Sequence, residues 1–180
     1  MSNKITSLKN QSNIVFKSRI LTNLNPVERY EFLQHCHRRR YKKGEYVFYK
    51  NDPGTGMYFI EEGRIELTIG NLEESIQGQP EIELKTPDSF GVLSIGYDLR
   101  RKSSACCITD CELLGFFKPD FEVLKDRHPK IAVKFLETLS NIALRQLETT
   151  AKKLAELSDE KTALDIQFKT YYEDQSEEAV

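Results

Sequence analysis

Long apolar stretches are missing from this chain of 180 residues. No run approaches the ~20 consecutive apolar residues that a helix needs to cross a bilayer, so no membrane contact is expected. The opening segment, MSNKITSLKNQSN, has no apolar core of the secretory kind, and a cytoplasmic protein is expected. Net charge is nearly absent too. The formal −2 gives no general attraction to nucleic acid or anionic lipid. Only four cysteines occur, Cys36, Cys106, Cys107 and Cys111, and their spacing is not the C-x-x-C pairing of a zinc ribbon. Adjacent Cys106 and Cys107 would point to opposite faces of a strand, so buried thiols are expected and no metal. The chain also lacks G-x-S-x-G, H-E-x-x-H and the GxxxxGK phosphate loop. Nothing motivates an enzyme, and no cofactor is expected.

What is present has the composition of a hydrated globular protein, with 39% apolar and 30% charged residues. Residues 1–13 read as a flexible N-terminal arm. From Ile14 to Leu24 the apolar spacing is helical. The next segment, NPVERYEFLQHC, carries Asn25 as an N-cap, Pro26 at the first helical position and Glu28 in the first turn. Phe32, Leu33 and Cys36 form its inward stripe.

Between Arg40 and Phe117 the period becomes that of strands. EYVFY, MYFIEE, RIELTI, EIELK, ACCIT and ELLGFF are separated by Lys43-Gly44, Asn51-Asp52-Pro53-Gly54, Glu62-Gly63, Gly78-Gln79-Pro80 and Pro87-Asp88. Many short strands with regular turns predict an antiparallel roll, sandwich or barrel. The run HCHRRRYKK, residues 35–43, places five positive charges in nine residues and reads as a solvated helix-to-strand edge. His128, before Pro129, reads as a helix cap.

After Phe117 the helical period returns. KPDFEVLKDRHP predicts a short helix closed by Pro129, and then no Gly or Pro interrupts residues 130–169. Leu136, Ser140, Ala143, Leu147, Thr150, Leu154 and Leu157 alternate in steps of four and three, a heptad seam for a dimeric coiled coil. Residues 170–180 read as a disordered acidic tail. The domain from 14 to 129, followed by the helix from 130 to 169, makes the fold class α+β. Its expected architecture is an antiparallel β-roll of the jelly-roll type, flanked by N-terminal helices and a long C-terminal dimerisation helix.

Two stretches carry a family resemblance. VFYKNDPGTGMYFIEEG, residues 47–63, resembles the strand–turn–strand signature of cyclic nucleotide-binding domains, with Asp52, Gly54, Met57 to Ile60 and Gly63 in register. Asn51 stands where a glycine is usual, and asparagine tolerates the left-handed backbone better than most residues. FGVLSIGYDLRRKSSACC, residues 90–107, resembles the family's phosphate-binding cassette. Phe90, Gly91, Ser94, Ile95 and Arg101 follow its spacing, which fits Arg101 better than Arg100, and Ser103, Ser104, Ala105 and Cys107 continue it, with Leu93 inside the candidate ligand-binding stretch.

The resemblance implies a site in which Gly91 and turn amides cradle an anion, Arg101 forks onto a phosphate, and Ser103 or Ser104 adds a donor. Cyclic AMP or cyclic GMP is the implied ligand. Val92 departs from the family's glutamate, which accepts from the ribose 2′-hydroxyl. Losing that bond costs ~1–3 kcal/mol, one to two decades of affinity. Lys102 departs from a small residue. Thr149 and Thr150 resemble the region of the last helix that touches the base.

Three functions follow as alternatives. The first is a stand-alone sensor without a DNA-binding domain, a homodimer that binds a small anion and signals to a protein partner. The second is a dimeric scaffold that has lost the ligand. The third, a transcription regulator, is disfavoured because only about a dozen residues follow Lys169, against the ~50 of an independent domain.

Overall fold

The computed structural model describes residues 14, 16–69, 82–96 and 99–173, with side chains as far as residue 169. The expected arm 1–13 and the Gly78-Gln79-Pro80 turn lie outside the described residues. The chain forms two compact units, 1–139 and 140–180.

In the first unit a 3-10 turn, Arg19–Leu21, precedes helix α1, Pro26–Gln34. Helix α1 begins as expected. The Asn25 side chain accepts from the Glu28 N–H at 3.0 Å, and Glu28 Oε2 accepts from the Asn25 N–H at 2.8 Å, a reciprocal cap that satisfies two otherwise orphaned donors. Among the described residues eight strands follow: β1 His37–Tyr41, β2 Tyr46–Phe48, β3 Gly56–Glu62, β4 Arg64–Thr68, β5 Ile82–Lys85, β6 Ser89–Phe90, β7 Ser104–Cys107 and β8 Cys111–Phe117. They pair antiparallel into two four-stranded sheets, β1-β8-β3-β6 and β2-β7-β4-β5. Helix α2, Lys118–Arg127, leads into α3, Pro129–Leu157.

The two central strands of the first sheet explain why their sequences read as unbroken apolar runs. On β3, Tyr58 and Ile60 enter the roll, where they meet Ile65, Phe90, Ala105, Cys107, Cys111 and Leu113. Alternate residues point the other way. Phe59 of β3 and Phe116 of β8 face Phe32 of α1, with ring centroids 6.1 and 4.4 Å away, and Phe135 of α3 stands 5.0 Å from Phe32. One face closes the roll and the other carries the helices. The result is the expected α+β roll.

The basic run reads as a solvated helix-to-strand edge, and His37–Tyr41 is a strand at the edge of its sheet. Three of its basic side chains face carboxylates. Arg38 lies 3.1 Å from Glu61 and 3.6 Å from Glu112, Arg40 lies 2.6 Å from Glu112, and His37 Nε2 lies 2.8 Å from Asp120. Charged side chains on an edge strand discourage pairing with another chain.

The helix expected over 130–169 is two helices. Helix α3 ends at Leu157 and α4 spans Glu160–Glu173. Asp159 starts α4, its carboxylate accepting from the Thr162 N–H at 2.9 Å and the Thr162 hydroxyl at 2.7 Å. A side-chain cap of this kind begins a new helix in place of continuing the old one. The first four residues of the expected tail, 170–173, continue α4, and the rest lie outside the described residues.

Candidate functional site

Strand β6 ends at Phe90, and Gly91 then takes φ +72° before a 3-10 turn, Val92–Ile95. An L side chain adopts that conformation at a cost of ~1–2 kcal/mol. Space demands glycine independently. A Cβ on Gly91 would stand 2.3 Å from Arg101 Nη1 and 3.0 Å from the Gly56 carbonyl oxygen. The bare backbone is what lets the guanidinium lie against this turn.

Arg101 is only 6% exposed. Its Nη1 donates to Ser94 Oγ at 3.1 Å and its Nη2 to the Gly56 carbonyl at 2.7 Å. The guanidinium carbon lies 4.1 Å from the centroid of the Phe48 ring, a cation–π contact. Its Nε, also buried, makes no hydrogen bond. Among the described residues no carboxylate pairs with it. Burial pulls its pKa below the usual arginine value, and the more distant Tyr58 and Asp52 oppose that only in part. A buried cation without a counter-charge costs several kcal/mol. The niche is therefore short of one negative charge, and the chemistry that would supply it is an oxyanion with acceptors for Nε and the guanidinium edge.

The signature around Asn51-Asp52-Pro53-Gly54 holds this arginine in place. Asn51 takes φ +71°, the left-handed conformation expected for it. Its N–H donates to the Arg101 carbonyl at 2.8 Å, and the Arg101 N–H donates to the Asp52 carbonyl at 2.9 Å. The Asp52 carboxylate accepts from the Tyr49 N–H and closes the turn. At Gly54 a Cβ would meet the Leu99 carbonyl oxygen at 2.4 Å and Ser94 Oγ at 2.5 Å. The turn thus docks directly on the segment that carries Arg101.

The structure brings together Gly91, Ser94 and Arg101 from the expected site. Phe90 belongs to the core, stacked on Tyr58 at 5.3 Å. Val92 and Leu93 are half-buried in the 3-10 turn, Lys102 is exposed, and Ser103 is half-buried. Arg100 is exposed and donates to the Asn51 carbonyl at 2.9 Å, so it braces the turn from outside. Buried Ser104 accepts from the Lys50 N–H at 2.9 Å. Thr149 and Thr150 are exposed on the part of α3 in the second unit. Of the heptad positions, Leu136, Ser140, Ala143, Leu147, Thr150 and Leu157 are exposed and Leu154 is half-buried. Sequence reasoning missed Phe48 and the Gly56 carbonyl. The alternation in EYVFY points Phe48 inward, but a backbone carbonyl carries no residue-type signal.

Burial pushes the Cys36 and Cys107 thiols up, with Cys111 beside Cys107 adding to the effect. Among the described residues no group of three or more His, Cys, Asp or Glu could hold a metal ion, and no helix is long and apolar enough to cross a membrane.

A separate polar cavity of about 200 Å³ is lined by Ile14, Lys17, Arg38, Glu61, Glu62, Thr86 and Glu112. Burial pushes the Glu61 carboxyl up to about 7. The Arg38 cation opposes this, and Glu112 and Glu62 reinforce it. Because the unfolded carboxyl ionises near 4.5, this group favours the fold below that pH, and the contribution is lost as pH rises through about 7. Replacing Glu61 by glutamine should therefore shift the difference in melting temperature toward the variant between pH 5 and pH 8. A difference independent of pH would refute the assignment.

A family model described as "Cyclic nucleotide-binding domain" matches residues 38–128. A cyclic AMP receptor protein from Thermus thermophilus is 29% identical over 131 residues, 71% of this chain and 56% of that protein. A cAMP-dependent protein kinase regulatory subunit from Colletotrichum orbiculare is 27% identical over 105 residues, 58% of this chain and 26% of that protein. The chain thus spans about half the length of the first of these relatives and a quarter of the second. Among solved structures, the Thermus thermophilus catabolite activator protein superposes with a TM-score of 0.65 at 29% identity, covering 78% of this chain and 63% of that one.

Proposed function

The chain belongs to the cyclic nucleotide-binding domain family, and from that premise we propose that its roll senses a small anionic ligand, with a cyclic nucleotide the first candidate. One observation carries this reading: Arg101 is buried beside Gly91 without a carboxylate partner among the described residues. A cyclic phosphate supplies the missing charge and accepts from the guanidinium. Gly91 keeps the backbone open to the anion, and the Ser94 hydroxyl, already on Nη1, orients the fork. The names of the cyclic AMP receptor and the cAMP-dependent kinase subunit favour cyclic AMP as the first ligand to try. The chain acts without catalysis. It reports binding as a population shift through α3, whose exposed Leu136, Ala143 and Leu147 suit pairing with a second copy, which presents the signal to a protein partner.

Isothermal titration of the chain with cyclic AMP and cyclic GMP tests this. Saturable heat is expected, together with a rise in thermal stability that reaches ~2.7 kcal/mol when ligand stands at 100 times Kd. Absence of both at millimolar ligand would overturn it.

A second reading, a dimeric scaffold without a ligand, draws on two features. Val92 offers no acceptor, and both Nη atoms of Arg101 already donate within the protein. Binding that appears only in Val92→Glu would favour that scaffold.

A further inference from the structure

Three consecutive residues, Gly54, Thr55 and Gly56, stand between the Arg101 niche and the start of α2, and their backbones bind the two alternately. The Gly54 N–H donates to the Leu99 carbonyl at 2.9 Å, and the Gly56 carbonyl accepts from Arg101 Nη2 at 2.7 Å. Between them the Thr55 carbonyl accepts at 3.0 Å from the N–H of Lys118, the first residue of α2. Neither glycine leaves slack. A Cβ on Gly54 would stand 2.5 Å from Ser94 Oγ, and one on Gly56 would stand 2.5 Å from Phe117 Cδ1 and 2.6 Å from the Phe116 carbonyl oxygen. Gly56 is also the ladder partner of Phe117, the last residue of β8. Helix α2 carries the connection onward. The Phe117 N–H donates to Asp120 at 2.9 Å, which closes its first turn. At its far end the His128 carbonyl accepts from the Ile131 and Ala132 N–H groups at 2.9 and 3.1 Å, so one residue joins α2 to the first turn of α3.

We propose that Gly54-Thr55-Gly56 is a coupling strap that conveys occupancy of the Arg101 niche to α2 and on to the first turn of α3. This route presupposes the roll as an anion sensor and adds how the signal leaves it. Arg101 sets the two states. While its guanidinium lies on the Gly56 carbonyl, the strap is pinned at the niche on both sides of Thr55, and Thr55 holds Lys118. A buried cation without a carboxylate favours excursions of the side chain to water, and each excursion frees the Gly56 carbonyl. An oxyanion beside the guanidinium removes that drive. Only two of the five guanidinium N–H groups are engaged, on Ser94 and Gly56, and Nε makes no hydrogen bond. The anion therefore has donors of its own and does not compete with Gly56. Bound ligand raises the population in which α2 is held at its first residue.

One substitution cuts the strap from α2 alone. At the first helical position the N–H has no partner inside the helix and proline is tolerated. Phe117 before it, at φ −117° and ψ 165°, is already extended, as a residue preceding proline must be. Lys118→Pro thus deletes the bond to Thr55 and keeps the helix, while Lys118→Ala removes the same side chain and keeps the bond. Hydrogen exchange is followed at the Leu124 and Ile131 amides of the full chain, with and without saturating cyclic AMP, binding being measured by calorimetry. Protection is expected to rise about fivefold or more in the wild type and in Lys118→Ala, and to stay level in Lys118→Pro although that variant still binds. An equal rise in Lys118→Pro would overturn the strap and leave the sensor standing, as would binding with no rise in the wild type. If no cyclic nucleotide binds, the sensor reading falls. A comparison without ligand then decides the strap, and it also decides if Lys118→Pro does not fold. In Arg101→Met the Lys118 amide should lose protection about tenfold relative to Ile65 and Cys107, the size of one hydrogen bond to a charged donor. An unchanged Lys118 amide would overturn the strap.

Discussion

Methionine in place of Arg101 is expected to weaken cyclic nucleotide binding by more than about 100-fold while leaving the melting temperature of the unliganded chain nearly unchanged. A buried charge pair loses ~3–5 kcal/mol when one partner is removed, which is about two to three and a half decades in Kd. Stability follows a different balance. The wild type holds a guanidinium at 6% exposure with an unpartnered Nε. The variant sheds that desolvation cost, keeps a side chain of similar length against Phe48, and gains a sulfur–aromatic contact. Against this stand two lost bonds, to Ser94 Oγ and the Gly56 carbonyl, each worth ~1.5–3 kcal/mol with a charged donor. The two sides nearly cancel, to within ~1 kcal/mol on unfolding in urea. A purely structural arginine would behave otherwise: its loss would cost several kcal/mol and leave no ligand affinity to measure. Urea melts and titrations on the same two proteins separate the cases.

Much of this arrangement is legible in the residues because local chemistry decides it. Asn25, Pro26 and Glu28 announce a helix start, and the fold uses all three. Asn51 in a glycine's place is explained by its φ of +71°, and the Phe90-Gly91 pair by the left-handed turn after β6. What escaped depends on partners distant in sequence. The run from His37 to Tyr41 reads as a solvated edge because the carboxylates that face it, Glu61, Glu112 and Asp120, are distant in sequence. The inward path of Arg101 is set by Phe48 and the Gly56 carbonyl, which reach it only when the roll closes. The break at Ser158-Asp159 is a different kind of miss. Asp159 and Thr162 form a local helix-start signal, but the heptad that runs up to Leu157 and the absence of Gly and Pro through residue 169 outweigh one capping residue.

Truncating Phe32 to alanine should produce the largest loss of stability, ~3–5 kcal/mol. Phe32 is fully buried and is the side chain through which α1 grips the outer face of the first sheet, touching Phe59 and Phe116 from the strands and Phe135 from α3. Phe116 and Phe135 also meet each other edge to face at 5.7 Å. The cluster is thus a closed ring of contacts, and a void at its centre has no neighbour free to fill it. The cost should approach the upper end of the range for that reason, because incomplete relaxation adds a cavity cost to the lost transfer free energy. Guanidinium unfolding should show a lower midpoint with an unchanged slope, while Leu33→Ala, at the half-buried next position, should cost markedly less. The location of the damage is diagnostic as well. Exchange should quicken at Ile131 to Phe135, where α3 leans on Phe32, before it quickens at Ile65 and Cys107 inside the roll. Equal acceleration at both would mean that the aromatic cluster and the roll interior unfold as one, and that α3 has no separate hold on the sheet.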